Sequence, residues 1–268
     1  MGFETFGVRT LVTFVFGPLI LFSAWLGGWY FAGVVTLIAL LAQYEFYGLA
    51  VKKGALPQTY PGLVLAAGVC LLLFAGYLSW VWLLLSGSFI LLAVAELFRN
   101  KDGPILNVAT TFMGLLYIAF PFGFLILIRQ MSAGGGMVIL IFLAIWICDS
   151  AAYIVGSKIG RRKLFPRVSP NKTVEGTAAG FLFALATAYF CYMTFLGAYG
   201  LVDVLVVGAI CGSLGQVSDL LESLFKRDAQ VKDSSHLIPG HGGVLDRFDS
   251  EILVAPAVYL FLQYFVAA

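Results

Sequence analysis

The chain has 268 residues, 61% of them hydrophobic and only 11% charged, with a formal net charge of +2. A soluble domain of this size needs a larger charged coat, so the composition excludes an ordinary soluble enzyme and points to an integral membrane protein solvated by lipid tails. The four cysteines (Cys70, Cys148, Cys191 and Cys211) all sit in apolar runs without CxxC spacing, and read as small buried hydrophobes.

About 20 apolar residues are needed to cross a bilayer. By that measure the expected fold is all-α and polytopic, with about nine transmembrane helices over residues 9–26, 29–51, 61–78, 80–98, 105–128, 134–156, 174–196, 201–223 and 250–267. The first segment is too long for a signal-peptide core and no small-residue cleavage site follows it, so it is expected to be retained. Breaks fall at Gly27-Gly28, at Lys52-Lys53-Gly54, at residues 100–104 and at the three glycines 134–136. The third and fourth spans run together, which makes eight the competing count. Residues 1–130 are read as a helical scaffold whose glycines and aromatics suit packing and leave a homodimer open. Residues 131–268 are read as the catalytic membrane domain, carrying a polar stretch over 219–249.

Lysines and arginines set the orientation. With nine spans, fifteen of the sixteen fall on one face, Arg9 among them, and only Arg129 falls on the other. The expectation is a multi-pass protein of the cell (inner or plasma) membrane, with its amino terminus and both long polar loops cytoplasmic and its carboxyl terminus outside. Glu45 and Glu96 lie near cytoplasmic ends of spans and are expected to snorkel or to pair with Lys52/Lys53 and Arg99.

Asp149 falls inside the sixth span, where a carboxylate is costly unless paired, hydrated or metal-bound. The loop 157–172 carries six basic residues, which topology alone would explain, and ends in Ser169-Pro-Asn-Lys172-Thr173-Val-Glu175-Gly176. Hydroxyls and a glutamate at a helix start serve either as caps or, beside Lys172, as contacts for a headgroup phosphate.

Asp219, Glu222, Ser223 and Lys226 recur at i, i+3, i+4 and i+7 and share one helix face. Glu222 is expected to pair with Lys226, whereas Asp219, one turn deeper, is a functional candidate. Asp246 and Asp249 form a second pair at i, i+3, with helix capping the alternative for Asp249. Carboxylates from two helices make a hard-oxygen site suited to Mg²⁺, which takes one or two of them with waters and substrate phosphates. Between the acids, Ile238-Pro-Gly-His241-Gly242-Gly243 lets backbone N–H groups approach a ligand, and Lys226, Arg227, Lys232 and Arg247 flank it as a phosphate cradle. His236 and His241 are five apart, a poor zinc spacing.

The run from Ser223 through Lys226-Arg227, Lys232-Asp233, Ser235, Ile238-Pro239, His241-Gly242-Gly243 and Asp246-Arg247 to Asp249 resembles the signature of the phosphatidate cytidylyltransferases, the CDP-diacylglycerol synthases, at every fixed position. Ser169-Pro-x-Lys172-Thr173-x-Glu175-Gly176 and Asp149-x-x-Ala152-Tyr153 are similar to further motifs of that family. The resemblance implies the reaction of CTP with phosphatidate to give CDP-diacylglycerol and pyrophosphate, with Mg²⁺ and room for a second cation. It implies Asp219 and Asp246 as metal ligands and catalytic residues with Lys226 and Arg247, and Asp249 and Asp149 as further metal candidates. It gives Lys172, Ser169, Thr173, Ser223, Arg227, Lys232, His241, Gly242 and Gly243 to substrate phosphates. CTP, phosphatidic acid and membrane lipids are the implied partners, and no nucleic acid. One competing reading is a CTP-dependent kinase of a lipid alcohol such as a polyprenol, which would need a carboxylate as base. The other is a cation- or proton-coupled transporter using Asp149 and Asp219 as its path.

Overall fold

The computed structural model describes residues 17–237 and 242–266. Arg9, the first half of the first expected span and the segment 238–241, with His241, lie outside the described residues.

Every expected span that is described is a helix. α1 (Gly17–Leu26) precedes α2 (Gly28–Lys52), α3 (Thr59–Phe74) and α4 (Leu78–Arg99). α5 (Pro104–Gly114) runs through a π-helical turn, Leu115–Ala119, into α6 (Phe120–Gln130). Then follow α7 (Gly134–Ile159), α8 (Val174–Thr194), α9 (Leu201–Asp228), the one-turn α10 (Leu245–Phe248) and α11 (Glu251–Phe265). The third and fourth spans, continuous in hydropathy, are parted by Ala75-Gly76-Tyr77, where Gly76 takes φ +78°, a left-handed turn that favours glycine.

The all-α expectation holds, with one small addition. The basic loop after α7 folds as an antiparallel hairpin of β1 (Lys163–Phe165) and β2 (Ser169–Thr173). The count of nine spans is not established. Among the described residues six helical runs are long and apolar enough to cross a membrane: α2, α4, the α5–α6 run, α7, α8 and α9. At 1.5 Å per residue, the 16 residues of α3 and the 15 of α11 reach roughly 24 and 22 Å, short of a hydrocarbon core about 30 Å thick.

The chain divides into two compact units, one formed by Met1–Leu127 with Phe225–Phe248, the other by Ile128–Leu224 with Asp249–Ala268. In the first, Tyr47 of α2 is held by polar bonds inside an apolar bundle. Its hydroxyl donates to Thr111 O at 2.8 Å and accepts from Gln43 Nε2 at 2.6 Å. A Cβ at Gly62 or Gly114 would collide with its ring, so these positions must be bare for the tyrosine to fit. A second buried network ties α3, α4 and α5 together: Glu96 accepts from Gln58, Arg99 and Asn107, each at 2.8 Å. The ion pair expected for Glu96 and Arg99 is therefore present. Phe225 anchors its segment to this unit by edge contacts with Phe46 and Tyr117, ring centres 6.2 and 5.3 Å away.

In the second unit α7 and α8 pack closely because α8 presents Gly176, Gly180, Ala184 and Ala188 at every fourth residue, all buried. A Cβ on Gly176 or Gly180 would press on the backbone oxygens of Ala152 and Cys148. Gly208 and Gly212 of α9 continue the theme against Ala188 and Ala184. Where lipid tails are as apolar as leucine, such close contact between small residues, rather than hydrophobic burial, drives helices together. All four cysteines are free and buried, as read from their settings.

Candidate active site

The first unit contains a lysine–carboxylate arrangement at the end of α9. Lys226, in the last turn of α9, donates to Asp246 Oδ1 at 2.6 Å, with side chains only 11% and 6% exposed. Asp246 Oδ2 accepts three further bonds, from Ser234 N at 2.9 Å, Ser234 Oγ at 2.9 Å and Gly243 N at 2.7 Å. Burial acts to raise this carboxyl. The hydrogen bond and charge of Lys226, with the Gly243 and Ser234 amides, outweigh it and hold Asp246 below its ordinary value. Oδ2 is thus committed to the loop, and Oδ1 faces the lysine.

Glu45 of α2 is part of the same arrangement. The residue is 2% exposed. Oε1 accepts from Ser235 Oγ at 2.6 Å and Val244 N at 2.9 Å, and Oε2 from Ser234 Oγ at 2.9 Å and Leu245 N at 2.7 Å. A hydroxyl carries one proton, so Ser234 bridges Glu45 and Asp246 by donating to one at a time. The expected pairing of Glu45 with Lys52/Lys53 is corrected: the glutamate points inward, and Lys53 pairs with Asp228 at 3.1 Å on the exposed side. Sequence reading missed Glu45 because its partners lie 189–200 residues away. The one available signal was a lone acid within a hydrophobic span.

Around these carboxylates Gly242 takes φ +83°, and Gly243 packs so tightly that a Cβ would strike Ser234 Oγ and Glu45 Oε2. Arg227, Lys232, His236 and Arg247 are exposed. Arg227 reaches back to Val231 O at 3.1 Å. Lys226 bonds Asp246, and Glu222 is fully buried in the second unit.

The second unit holds its own arrangement. Lys172, on β2, donates to Asp219 Oδ2 of α9 at 2.5 Å, both side chains about a quarter exposed (25% and 27%). Ser223, one turn on, lies 3.4 Å from Asp219 Oδ1. The capping alternative holds for Thr173, whose hydroxyl accepts from Gly176 N at 3.2 Å and caps α8. Glu175 accepts from the backbone N–H groups of Arg161 and Arg162 at 3.0 and 3.2 Å, pinning the hairpin base to α8. Ser169, half-buried, opens β2 opposite Phe165.

Asp249 is 9% exposed, and its backbone carbonyl accepts from Ser218 Oγ at 2.5 Å. The charges of Asp219, Glu222, Asp149 and Glu251 all act upon it. Asp149, expected to be buried, is exposed on α7. On an open face of a span such a group needs water, a cation or a polar substrate beside it. Among the described residues no three His, Cys, Asp or Glu side chains form a ready-made metal cage. Mg²⁺ does not need one, since one or two carboxylates suffice when waters and phosphates complete the shell. A lysine ammonium already sits on Asp219, and Asp249 is buried within the influence of Asp219, Glu222, Asp149 and Glu251. This donor set fits a hard divalent cation.

Compared with known proteins, residues 7–265 match the cytidylyltransferase family. A phosphatidate cytidylyltransferase of Staphylococcus saprophyticus is 35% identical over 265 residues, covering 95% of this chain and 98% of that protein. Phosphatidate cytidylyltransferases of Staphylococcus aureus and Staphylococcus epidermidis are each 33% identical, over 267 and 265 residues, with the same coverage.

Proposed function

The chain belongs to the cytidylyltransferase family, and on that premise we propose that it transfers a cytidylyl group from CTP to phosphatidate, giving CDP-diacylglycerol and pyrophosphate. It is a membrane nucleotidyltransferase of phospholipid synthesis. A phosphatidate oxygen attacks the α-phosphorus of CTP, that P–O bond forms, and the bond to the β-phosphate oxygen breaks. Phosphatidate is already ionised, so no strong general base is required. The difficulty is to bring two anions together and to stabilise the leaving pyrophosphate, which is work for fixed cations and hydrogen-bond donors.

The observation that carries this reading is that each unit holds a lysine seated on an aspartate of the signature motifs, Lys172 on Asp219 and Lys226 on Asp246. In the second unit we assign Asp219 and Asp249 as metal ligands, with Asp149 as a further candidate; in the first unit Asp246 is a metal candidate through Oδ1. Mg²⁺ there would neutralise phosphate charge and polarise the α-phosphoryl group. Lys172 and Lys226 are assigned to the substrate phosphates, exchanging an aspartate for a phosphate oxygen when substrate binds. Arg227, Lys232, Arg247, Ser223, Ser169 and the loop of His241, Gly242 and Gly243 add donors around them. Thr173 acts by holding the start of α8. We place the signature loops on the cytoplasmic side, because the positive charges gather there.

The test is cytidylyl transfer by the purified protein in detergent, with labelled CTP and phosphatidate, with and without Mg²⁺. Asp219→Ala and Asp246→Ala, checked for folding, should each lose at least about 100-fold in rate. If phosphatidate stays inert while a lipid alcohol gains phosphate from CTP, the kinase reading replaces this one.

A further inference from the structure

We propose that the basic hairpin between α7 and α8 is a docking surface for anionic lipid headgroups, gathering phosphatidate from the leaflet beside Lys172. That phosphatidate is the lipid rests on the function proposed above; the docking surface itself does not. Residues 157–172 carry six basic side chains and no acidic one. Lys158, Arg161, Arg162, Lys163 and Arg167 are all exposed. Among the described residues no salt bridge takes up any of these five. Glu175, just beyond the hairpin, accepts from the backbone N–H groups of Arg161 and Arg162. Cations crowded onto one short hairpin repel one another, and an apposed anionic layer relieves that repulsion.

The hairpin is tied to the bilayer at both ends, since α7 and α8 are each long and apolar enough to cross it. Its base is fixed on the last turn of α7, where a Cβ at Gly160 would strike the Thr173 side chain. From Lys163 to Arg167 a strand rises no more than about 16 Å. The headgroup layer takes up roughly 5–8 Å of that height. Lys163 and Phe165 are both exposed on β1, two residues apart and so on one face, with Phe165 54% exposed. An apolar ring among cations suits a lipid interface, where the ring meets acyl chains and the cations meet phosphates. CTP, a soluble polyanion, offers nothing to the ring. β2 carries Lys172, already seated on Asp219. Lipid collected on the hairpin is therefore delivered to the lysine–aspartate pair of this same unit.

Two experiments test this on the full chain in lipid nanodiscs. All four native cysteines are buried, so a spin label on Phe165→Cys reports on the hairpin alone. In phosphatidylcholine with phosphatidylglycerol the label should be shielded from a water-soluble nickel relaxant, and in phosphatidylcholine alone it should be several-fold more accessible. The second experiment replaces Arg161, Arg162, Lys163 and Arg167 together by Gln, which leaves the backbone bonds to Glu175 in place. A basic residue near an anionic surface contributes about fivefold in attraction. The four together should raise the phosphatidate KM at least tenfold, with kcat and the CTP KM within about twofold. Added salt should raise the phosphatidate KM of the wild type much more than that of the variant. Replacing the three arginines by Lys, which keeps the charge, should restore wild-type behaviour. A label equally accessible in both lipids would overturn the proposal. So would a variant whose CTP KM rises in place of its phosphatidate KM, because the hairpin would then serve the nucleotide. Shielding that follows the protein-to-lipid ratio instead of lipid charge would give the face to a second copy of the chain and overturn it too. If the wild-type protein transfers no cytidylyl group, the functional reading falls, and the label still decides whether the hairpin docks on anionic lipid.

Discussion

Replacing Gly243 by alanine adds one methyl group at the most crowded point of the loop. The new carbon would lie well inside the 3.0 Å that real Cβ atoms respect, against both Ser234 Oγ and Glu45 Oε2. The backbone has little room to recede, because the amide of Gly243 is bonded to Asp246 and the next two amides are bonded to Glu45. The carboxylate must therefore give way. If Oε2 swings out it forfeits the bonds from Leu245 N and Ser234 Oγ, and a hydrogen bond to a charged group contributes about 1.5–3 kcal/mol. Full displacement thus costs roughly 3–6 kcal/mol, whereas a tilt that keeps both bonds costs the roughly 1–3 kcal/mol of ordinary overpacking. The two estimates meet near 3 kcal/mol, or about 150-fold in the population of the ordered loop. Amide exchange at Val244 and Leu245 should accelerate by about that factor while exchange along α8 stays at the wild-type rate, and the CTP KM should rise with it. Wild-type exchange and wild-type CTP kinetics in Gly243→Ala would refute the reasoning, since they would mean that neither side chain stands where the packing places it.

Two further outcomes are expected. In Lys226→Met the largest influence lowering Asp246 is gone while burial, which raises it, remains. The wild-type loop, whose carboxyl sits below the ordinary 3.8, keeps its full contribution above that pH and loses it only as pH falls through the lowered value; the variant should lose loop order at a distinctly higher pH. Exchange at Gly243 followed against pH reads the midpoint, and an unmoved midpoint counts against Lys226 as the group that keeps Asp246 charged. Glu96→Ala removes one acceptor each from Gln58, Asn107 and Arg99 in the first unit and should cost about 2–4 kcal/mol in unfolding in detergent, with the CTP KM unchanged. An unaltered melting temperature would show that this network is not holding α3, α4 and α5.

The sequence by itself determined the class of protein, the approximate place of the long described helices and the residue types of the candidate site. Membrane helices satisfy their backbone bonds within one segment, so apolar length and polar breaks suffice to find them. Lys226, Asp246 and Gly243 were legible because the signature pattern lies within 27 consecutive residues, from Ser223 to Asp249. The π-helical turn within the fifth span and the hairpin in the basic loop were not, since neither changes the hydropathy that marks a span. Only the tertiary structure decided which charges meet. Lys226, in the last turn of α9, bonds Asp246, twenty residues on. Glu45 has two lysines seven and eight residues away on its own chain segment, yet it bonds the loop base some 200 residues distant. Pairing within one helix is worth only a few tenths of a kcal/mol. A buried carboxylate that can collect backbone amides gains far more, because stranding either partner in the interior is so costly. That energy depends on which elements pack together, and no local reading of the chain contains it.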